Sequence, residues 1–436
     1  MSKPSDLSQA MEGLYDYVAN EEDARVCKDI SDQACREVPG NFFLILLSQC
    51  LTKLGDALAS TKIVLPWVMA QSGVPAFFTG VLVPIRESGA LLPQLMLGSV
   101  IRAYAVRKWF FVAGCLLQGL AVLAMAWIAF SMQGVQAGVA IVLALVVFSL
   151  ARGMCSVASK DVLGKTIPKT RRGRVSGLAA SISGFITLGV AVVLWLDLGG
   201  SDDQLVWLLA GAALLWLLAA VVFARIAEYS GATDGGGNAI KEAFSRLSLL
   251  REDPPFRRFV IVRALLMSSG LSAPFFILLA QSPDGTGQVA QLSLFIGVSG
   301  LASLLSGNIW GRFADRSSRT VMLCSGALTA LLCALAIAGQ LVWGDIPVLI
   351  VVALYFVLAI AHQGVRLGRK TYVVDMAGGN KRTDYVAVSN TLIGALLLLA
   401  GIISAAIAQW SLIAVFAFFG LACLLALLVS RGLPEV

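Results

Sequence analysis

Twelve times in 436 residues the chain offers an apolar stretch long enough to cross a lipid bilayer, and nothing constrains its fold more. A hydrocarbon core about 30 Å thick takes roughly 20 apolar residues to span as a helix. The blocks lie at 42–70, 75–98, 109–130, 137–158, 175–196, 205–226, 259–281, 288–310, 321–341, 347–366, 389–409 and 411–430, and are numbered here as spans 1 to 12. They read as helices because lipid cannot satisfy an open backbone, and the period-2 alternation of a membrane barrel is absent. Composition agrees, with 58% hydrophobic and 14% charged residues, against about 45–50% and about 25% in soluble domains. That apolar excess has no soluble core to fill, which excludes a soluble domain, a disordered chain and a secreted disulfide scaffold. A single His and eight scattered Cys, without a CxxC spacing, exclude a zinc finger or disulfide framework. No metal and no cofactor is expected.

The connections sort by charge. The short ones at 71–74, 131–136, 197–204, 282–287 and 342–346 hold Asp197, Asp202, Asp203, Asp284 and Asp345 but no Lys or Arg. The others hold Arg102, Arg107, Lys108, Lys160, Lys165, Lys169, Arg171, Arg172, Arg174, Arg246, Arg251, Arg257 and Arg258. Arg312, Arg316, Arg319, Arg369, Lys370, Lys381 and Arg382 continue the series. The positive-inside rule places these loops and both termini in the cytoplasm of a cell membrane, such as a bacterial inner membrane. Trp67, Trp127, Trp195, Trp207, Trp343 and Trp410 sit near the opposite ends, as an interfacial belt would. Topology explains the net charge of +7 without a nucleic-acid partner. Residues 1–40 are polar and acidic and carry no signal peptide. Leu7, Met11, Leu14, Tyr15 and Val18 recur there at helical spacing, and Cys27 and Cys35 read as reduced thiols.

The longest interior connection, 228–256, divides the spans six and six. It opens with GATDGGGN, a flexible lead-in, and a surface helix is expected over 239–250 before Asp253-Pro254-Pro255. The expected organisation is a tail 1–40, a first bundle 41–227, a linker 228–256, a second bundle 257–431 and a tail 432–436. Weak self-similarity supports it: Lys53 matches Arg263, and Ala70-Gln71-Ser72 matches Ala280-Gln281-Ser282, at an offset of 210. Gly153 matches Gly364, and SKDVLGKTIPKTRRGRVSG overlays KTYVVDMAGGNKRTDYVAV, at 211. Duplicated six-span units are a transporter signature, with the site near the midplane between them.

Between spans 8 and 9 runs Gly311-Arg-Phe-Ala-Asp315-Arg316-Ser-Ser-Arg319, and after span 2 Gly98-Ser-Val-Ile-Arg102-Ala-Tyr-Ala-Val-Arg107-Lys108. Over residues 41–431 the chain resembles the major facilitator superfamily, whose loop motif is a Gly, three residues, Asp-Arg and further basic residues. The resemblance implies twelve helices in two pseudo-symmetric bundles, with spans 1, 4, 7 and 10 lining the cavity. It also implies a conformational lock at Gly98, Arg102, Arg107, Lys108, Gly311, Asp315, Arg316 and Arg319, although Arg102 stands where the family has Asp. Arg152-Gly153 is similar to the family's Arg-plus-Gly signature in span 4. The Gly-Pro signature of drug–proton antiporters is missing from span 5, whose Gly177, Gly184 and Gly189 precede no proline.

Apart from Arg225 and Arg366 at the cytoplasmic ends of their blocks, the basic residues within the blocks are Lys53, Lys62, Arg86, Arg152 and Arg263, the acids are Asp56 and Glu87, and the lone His is His362, beside Gln363. All lie in spans 1, 2, 4, 7 or 10. A charge at the bilayer centre costs roughly 2.5–3.5 kcal/mol on insertion scales, so it faces a partner or a wet cavity. Lys53 and Asp56, three residues apart, are close enough to pair. Lys62, nine residues beyond Lys53, is half a turn round and needs another partner. Arg86 and Glu87 diverge by about 100°. The expected substrate site is Lys53, Lys62, Arg86, Arg152, His362 and Gln363, holding a small anionic solute. Asp56, Glu87 or His362 is expected to carry a coupling proton, and the reading is a monomeric secondary active transporter. The alternatives are an exporter of amphipathic drugs or lipids and a non-transporting sensor of the same fold. No GxxxxGKS phosphate loop and no nucleophile–base constellation occurs, so neither ATP-driven transport nor an enzyme is expected.

Overall fold

The computed structural model describes residues 32–196, 204–231, 233, 248–281, 288–314, 317–376 and 381–435. The expected helices at 7–18 and over 239–247 lie outside the described residues. Every regular element among the described residues is a helix. After α1 (Asp32–Arg36), span 1 is two helices, α2 (Val38–Leu58) and α3 (Val64–Gln71), and span 2 is α4 (Ala76–Leu91) and α5 (Gln94–Arg102). Spans 3 to 6 are α6 (Lys108–Ser131), α7 (Gly134–Thr166), α8 (Lys169–Leu196) and α9 (Gln204–Ala224). A short α10 (Leu249–Glu252) precedes span 7, which is split into α11 (Pro254–Leu266), α12 (Ser268–Leu271) and α13 (Ala273–Ala280). Spans 8 to 12 are α14 (Gln288–Ala314), α15 (Ser318–Trp343), α16 (Val348–Met376), α17 (Lys381–Ala408) and α18 (Leu412–Ser430).

Nine runs among the described residues are long and apolar enough to cross a membrane, Pro254–Ala280 counting as one. The remaining three blocks are the divided spans 1 and 2 and span 8, whose apolar part Gln291–Ser306 is shorter. The total is consistent with twelve. Cys35, expected as a reduced thiol, is instead disulfide-bonded.

Prolines place the breaks. Pro66 has no N–H to give the carbonyl of Lys62, four residues back, and its ring crowds that carbonyl. Span 1 accordingly leaves the helix after Leu58 and resumes at Val64, with Lys62 in the turn. The break falls one turn before Pro66 because the lost bond belongs to the preceding turn. Pro274 acts in the same way on Gly270, and span 7 breaks at Met267 and Ser272. The two halves are thus interrupted at matching places.

The halves meet through α4 against α17, α8 against α14, and α3 against α13. Small residues make the first contact. A Cβ on Gly401 would come within 2.0 Å of Pro84 Cγ, and one on Gly80 within 2.7 Å of the Ala405 Cβ. Farther along, Ser88 Oγ donates to the Gly394 carbonyl at 2.7 Å. At the end carrying the acidic loops, Gln281 Nε2 donates to the Pro66 carbonyl at 3.3 Å. Beyond Gly394 toward the basic loops, α17 turns to its own half, where Ser389 and Asn390 receive Arg263 and Tyr385 donates to Asp253. The halves are therefore sealed from the acidic end to the middle.

Candidate functional site

Around the paired breaks the ionisable side chains converge. From span 1, the Asp56 carboxylate accepts hydrogen bonds from Arg152 of α7 and from Arg86 Nη2 of α4, the latter at 3.0 Å. Arg86 Nη1 lies 3.7 Å from Glu87 Oε1, so these neighbours in sequence reach each other despite leaving the helix in different directions. Lys53, expected to share Asp56, is exposed and has no hydrogen bond or ion pair among the described residues. Two guanidiniums arriving from other helices occupy the carboxylate that its spacing offered. Arg152 and Asp56 come from different spans, and beside Arg152 the small Gly153 packs on Ala90, whose carbonyl oxygen would lie 3.2 Å from a Cβ placed on the glycine.

Across the gap, Lys62 Nζ lies 2.8 Å from His362 Nε2 of α16. Ser269 Oγ, in the broken part of span 7, lies 3.0 Å from His362 Nδ1. The imidazole rests against Gly270, where a Cβ would come within 2.7 Å of its Cε1. Gln363, beside it on α16, is partly buried. Thr61 Oγ1 and Ser272 Oγ, both buried at the breaks, have no hydrogen-bond partner among the described residues. Such idle capacity in a buried place is uncommon in folded proteins.

Two cations were missed by sequence reading. Arg366 ends the apolar block and Arg369 lies beyond it, which reads as the cytoplasmic side, but α16 continues to Met376. They follow His362 at spacings of four and seven, the same face of the helix. Arg366 lies within electrostatic reach of Lys53, Lys62 and Glu87, and Arg369 of Glu87 and Lys62. The i, i+4, i+7 pattern from His362 was present in the sequence; the missing information was how far the helix outlasts its apolar block. Arg263 behaves differently. Its guanidinium is buried and donates at 2.8 Å to both Ser389 Oγ and Asn390 Oδ1, tying span 7 to span 11.

Of the expected lock residues, Arg107, Lys108 and Arg319 make contacts within their own halves. Gly98 is buried, and Arg102 ends α5. The backbone N–H groups of Arg107 and Lys108, at the start of α6, donate to the Glu228 carboxylate at 2.9 and 2.6 Å. Lys165 Nζ adds a bond to Glu228 at 2.8 Å, and the Glu228 side chain is fully buried. A carboxylate at a helix start satisfies two orphan N–H groups and meets the positive end of the dipole. Arg107 Nη1 reaches Asp161 of α7 at 3.1 Å, and Lys108 Nζ the Ala224 and Ile226 carbonyls at 2.9 and 2.7 Å. Sequence reading had placed Glu228 in a linker. In the second half, Gly311 lies in α14, while Asp315 and Arg316 lie outside the described residues. Arg319 donates to the Arg431 carbonyl at 3.1 Å and pairs with Glu435 at 3.5 Å, holding the chain end.

The sequence profile of the Major Facilitator Superfamily matches residues 284–435. No curated protein sequence matches the chain at a significant level. Among solved structures, the nucleoside transporter NupG is similar with a TM-score of 0.66 and 14% identity, covering 89% of this chain and 98% of that one. The inward-open xylose transporter XylE from E. coli is similar with a TM-score of 0.63 and 13% identity, over 92% of this chain and 97% of that one. A POT family transporter in complex with a thioalcohol-conjugated peptide is similar at 0.67 and 11%, over 89% and 94%.

Proposed function

We propose that the chain, a multi-pass membrane protein whose residues 284–435 match the Major Facilitator Superfamily profile, belongs to that superfamily and is a secondary active transporter for a small anionic solute, coupled to protons. The observation that carries this reading is the gathering of Lys53, Lys62, Arg86, Arg152, Arg366 and Arg369 around two carboxylates among the described residues, Asp56 and Glu87, where both halves are interrupted. Broken helices at matching places of a duplicated bundle are where such folds bind their cargo. Charges retained there despite their insertion cost answer to a charged ligand. The bodies that rock are 41–227 and 257–431, the basic end facing the cytoplasm with both termini. On this reading the seal at the acidic end corresponds to an inward-facing arrangement, and the transporting unit is a monomer. Of the proton candidates, Asp56 is held by two guanidiniums, whereas His362 bridges the halves and couples its proton to their contact.

Uptake into proteoliposomes tests this with anions, neutral solutes and cations, with and without an imposed proton gradient. Anions accumulate, a gradient drives them, and Lys62→Ala, Arg86→Ala or Arg152→Ala lowers the rate. Accumulation of neutral or cationic solutes with indifference to all three substitutions would overturn the reading. An amphipathic cargo, the alternative, requires a largely apolar lining, and the lining formed by these residues is charged.

A further inference from the structure

Not every cation at the breaks is available. Asp56 is bound by Arg86 and Arg152, and Glu87 lies against Arg86, so the two carboxylates are committed to α4 and α7. Four cations form no ion pair with a carboxylate among the described residues, although Glu87 lies within electrostatic reach of three of them: Lys53 and Lys62 on span 1, Arg366 and Arg369 on α16. Lys53, Arg366 and Arg369 make no hydrogen bond or ion pair among the described residues, and Lys62 Nζ meets His362 Nε2 at 2.8 Å. Two come from each half, and they face one another, Lys62 sensing both arginines and Lys53 sensing Arg366. Like charges from opposite halves at this range repel unless something negative lies between them.

Resting on the anion reading above, we propose that Arg366 and Arg369 are substrate-binding residues and that the cargo is a small organic anion with at least two negative charges, held between the span 1 lysines and the α16 arginines. A monoanion leaves three of the four charges uncompensated; a dianion balances one charge from each half and favours their approach. Arginine forks suit phosphate and carboxylate oxygens, which take two parallel N–H bonds, and the lysines act as point charges opposite them. The residues assigned to substrate by sequence alone are thereby divided: Arg86 and Arg152 position Asp56, and Lys53, Lys62, Arg366 and Arg369 touch the cargo.

The test uses the full chain in detergent and probes matched in skeleton but not in charge: glycerol with glycerol 3-phosphate, and lactate with succinate. Thermal stabilisation is read against probe concentration. Glycerol 3-phosphate or succinate half-saturates at a concentration at least tenfold lower than its partner. Arg366→Gln and Arg369→Gln each raise that concentration about tenfold or more, as loss of a hydrogen bond to a charged group does. Arg366→Lys loses less. Neither arginine has a bonding partner to orphan, so these variants fold, and an unchanged melting temperature without probe confirms it. If lactate binds as tightly as succinate, or the glutamines leave the dianion curve in place, the inference is overturned while the anion reading stands. If glycerol stabilises and no anion does, both are overturned.

Discussion

Lys62 Nζ stands 2.8 Å from His362 Nε2, a contact between two basic groups that spans the two halves. It constrains where protons sit. Ser269 Oγ donates to the Leu266 carbonyl at 2.9 Å, so its oxygen accepts from His362 Nδ1–H at 3.0 Å. A Lys62 ammonium donating to Nε2 requires that nitrogen to be bare, and so a neutral imidazole.

That arrangement predicts a direction of pH dependence. A second proton on His362 would set two cations 2.8 Å apart, a repulsion of about 6 kcal/mol at an effective dielectric constant of about 20. The surroundings do not offset it: Arg366 and Arg369 lie on α16 itself and Arg86 on α4, with Glu87 the one acid facing Lys62. Protonation and the Lys62–His362 contact therefore exclude each other, and the contact is lost as pH falls. Spin labels on spans 1 and 10 should separate on acidification, and His362→Gln should abolish that change. A pH response unchanged in His362→Gln would show that another group titrates.

Asp56 is the keystone of the first half. With Asp56→Asn, Arg86 and Arg152 lose their shared carboxylate while still facing each other. Removing one partner from a fully buried pair costs about 3–5 kcal/mol, and the Arg152 side chain is 34% exposed. Discounting for that exposure, about 2–4 kcal/mol is expected. The melting temperature in detergent should fall clearly, and Asp56→Asn with Arg152→Gln should recover part of the loss, because the double variant no longer leaves two guanidiniums opposed. Strictly additive losses would argue against a shared unit.

The seal between α4 and α17 depends on Gly401, where a Cβ would come within 2.0 Å of Pro84 Cγ. Two ring atoms of a proline cannot move aside, so Gly401→Ala must part the helices, at about 1–3 kcal/mol. That penalty falls on the sealed arrangement and spares one in which the acidic end is open. Spin labels at Gln133 and Asp345, in acidic-end loops of opposite halves, should move apart in Gly401→Ala and transport should slow. An unmoved distance distribution would mean that this contact does not set the conformational balance.

What the residues announced, and what they withheld, follows from the range of each interaction. Helical spans are local: twenty apolar residues and a proline four places after a break are visible in one pass, and so was the confinement of charge to spans 1, 2, 4, 7 and 10. Pairing is not local. The spacing of Lys53 and Asp56 favours a contact that two arginines from other helices supplant. Lys62 and His362 are separated by 300 residues, and only the folding of both halves around their breaks brings them together. Arg366 and Arg369 were hidden for a different reason: the end of an apolar block marks where lipid stops, and a helix lining a wet opening continues beyond it.

Glu228 is a residue whose importance no local pattern signalled. Its side chain is fully buried beneath Lys165 and caps α6 through the N–H groups of Arg107 and Lys108. Glu228→Gln keeps the shape but turns part of an acceptor into a donor facing N–H groups, and leaves Lys165 without its counter-charge. Breaking a buried pair in this way costs about 3–5 kcal/mol, so the variant should melt well below the parent and yield less protein. Glu228→Gln with Lys165→Met should recover part of the loss, since the lysine no longer sits beside an uncharged amide. Because the bonds of Glu228 among the described residues all run to loop ends of its own half, the half-saturating concentration for solute should stay at the parent value in whatever protein remains folded. A large shift in that concentration, with stability unchanged, would place Glu228 in the transport cycle instead of the scaffold.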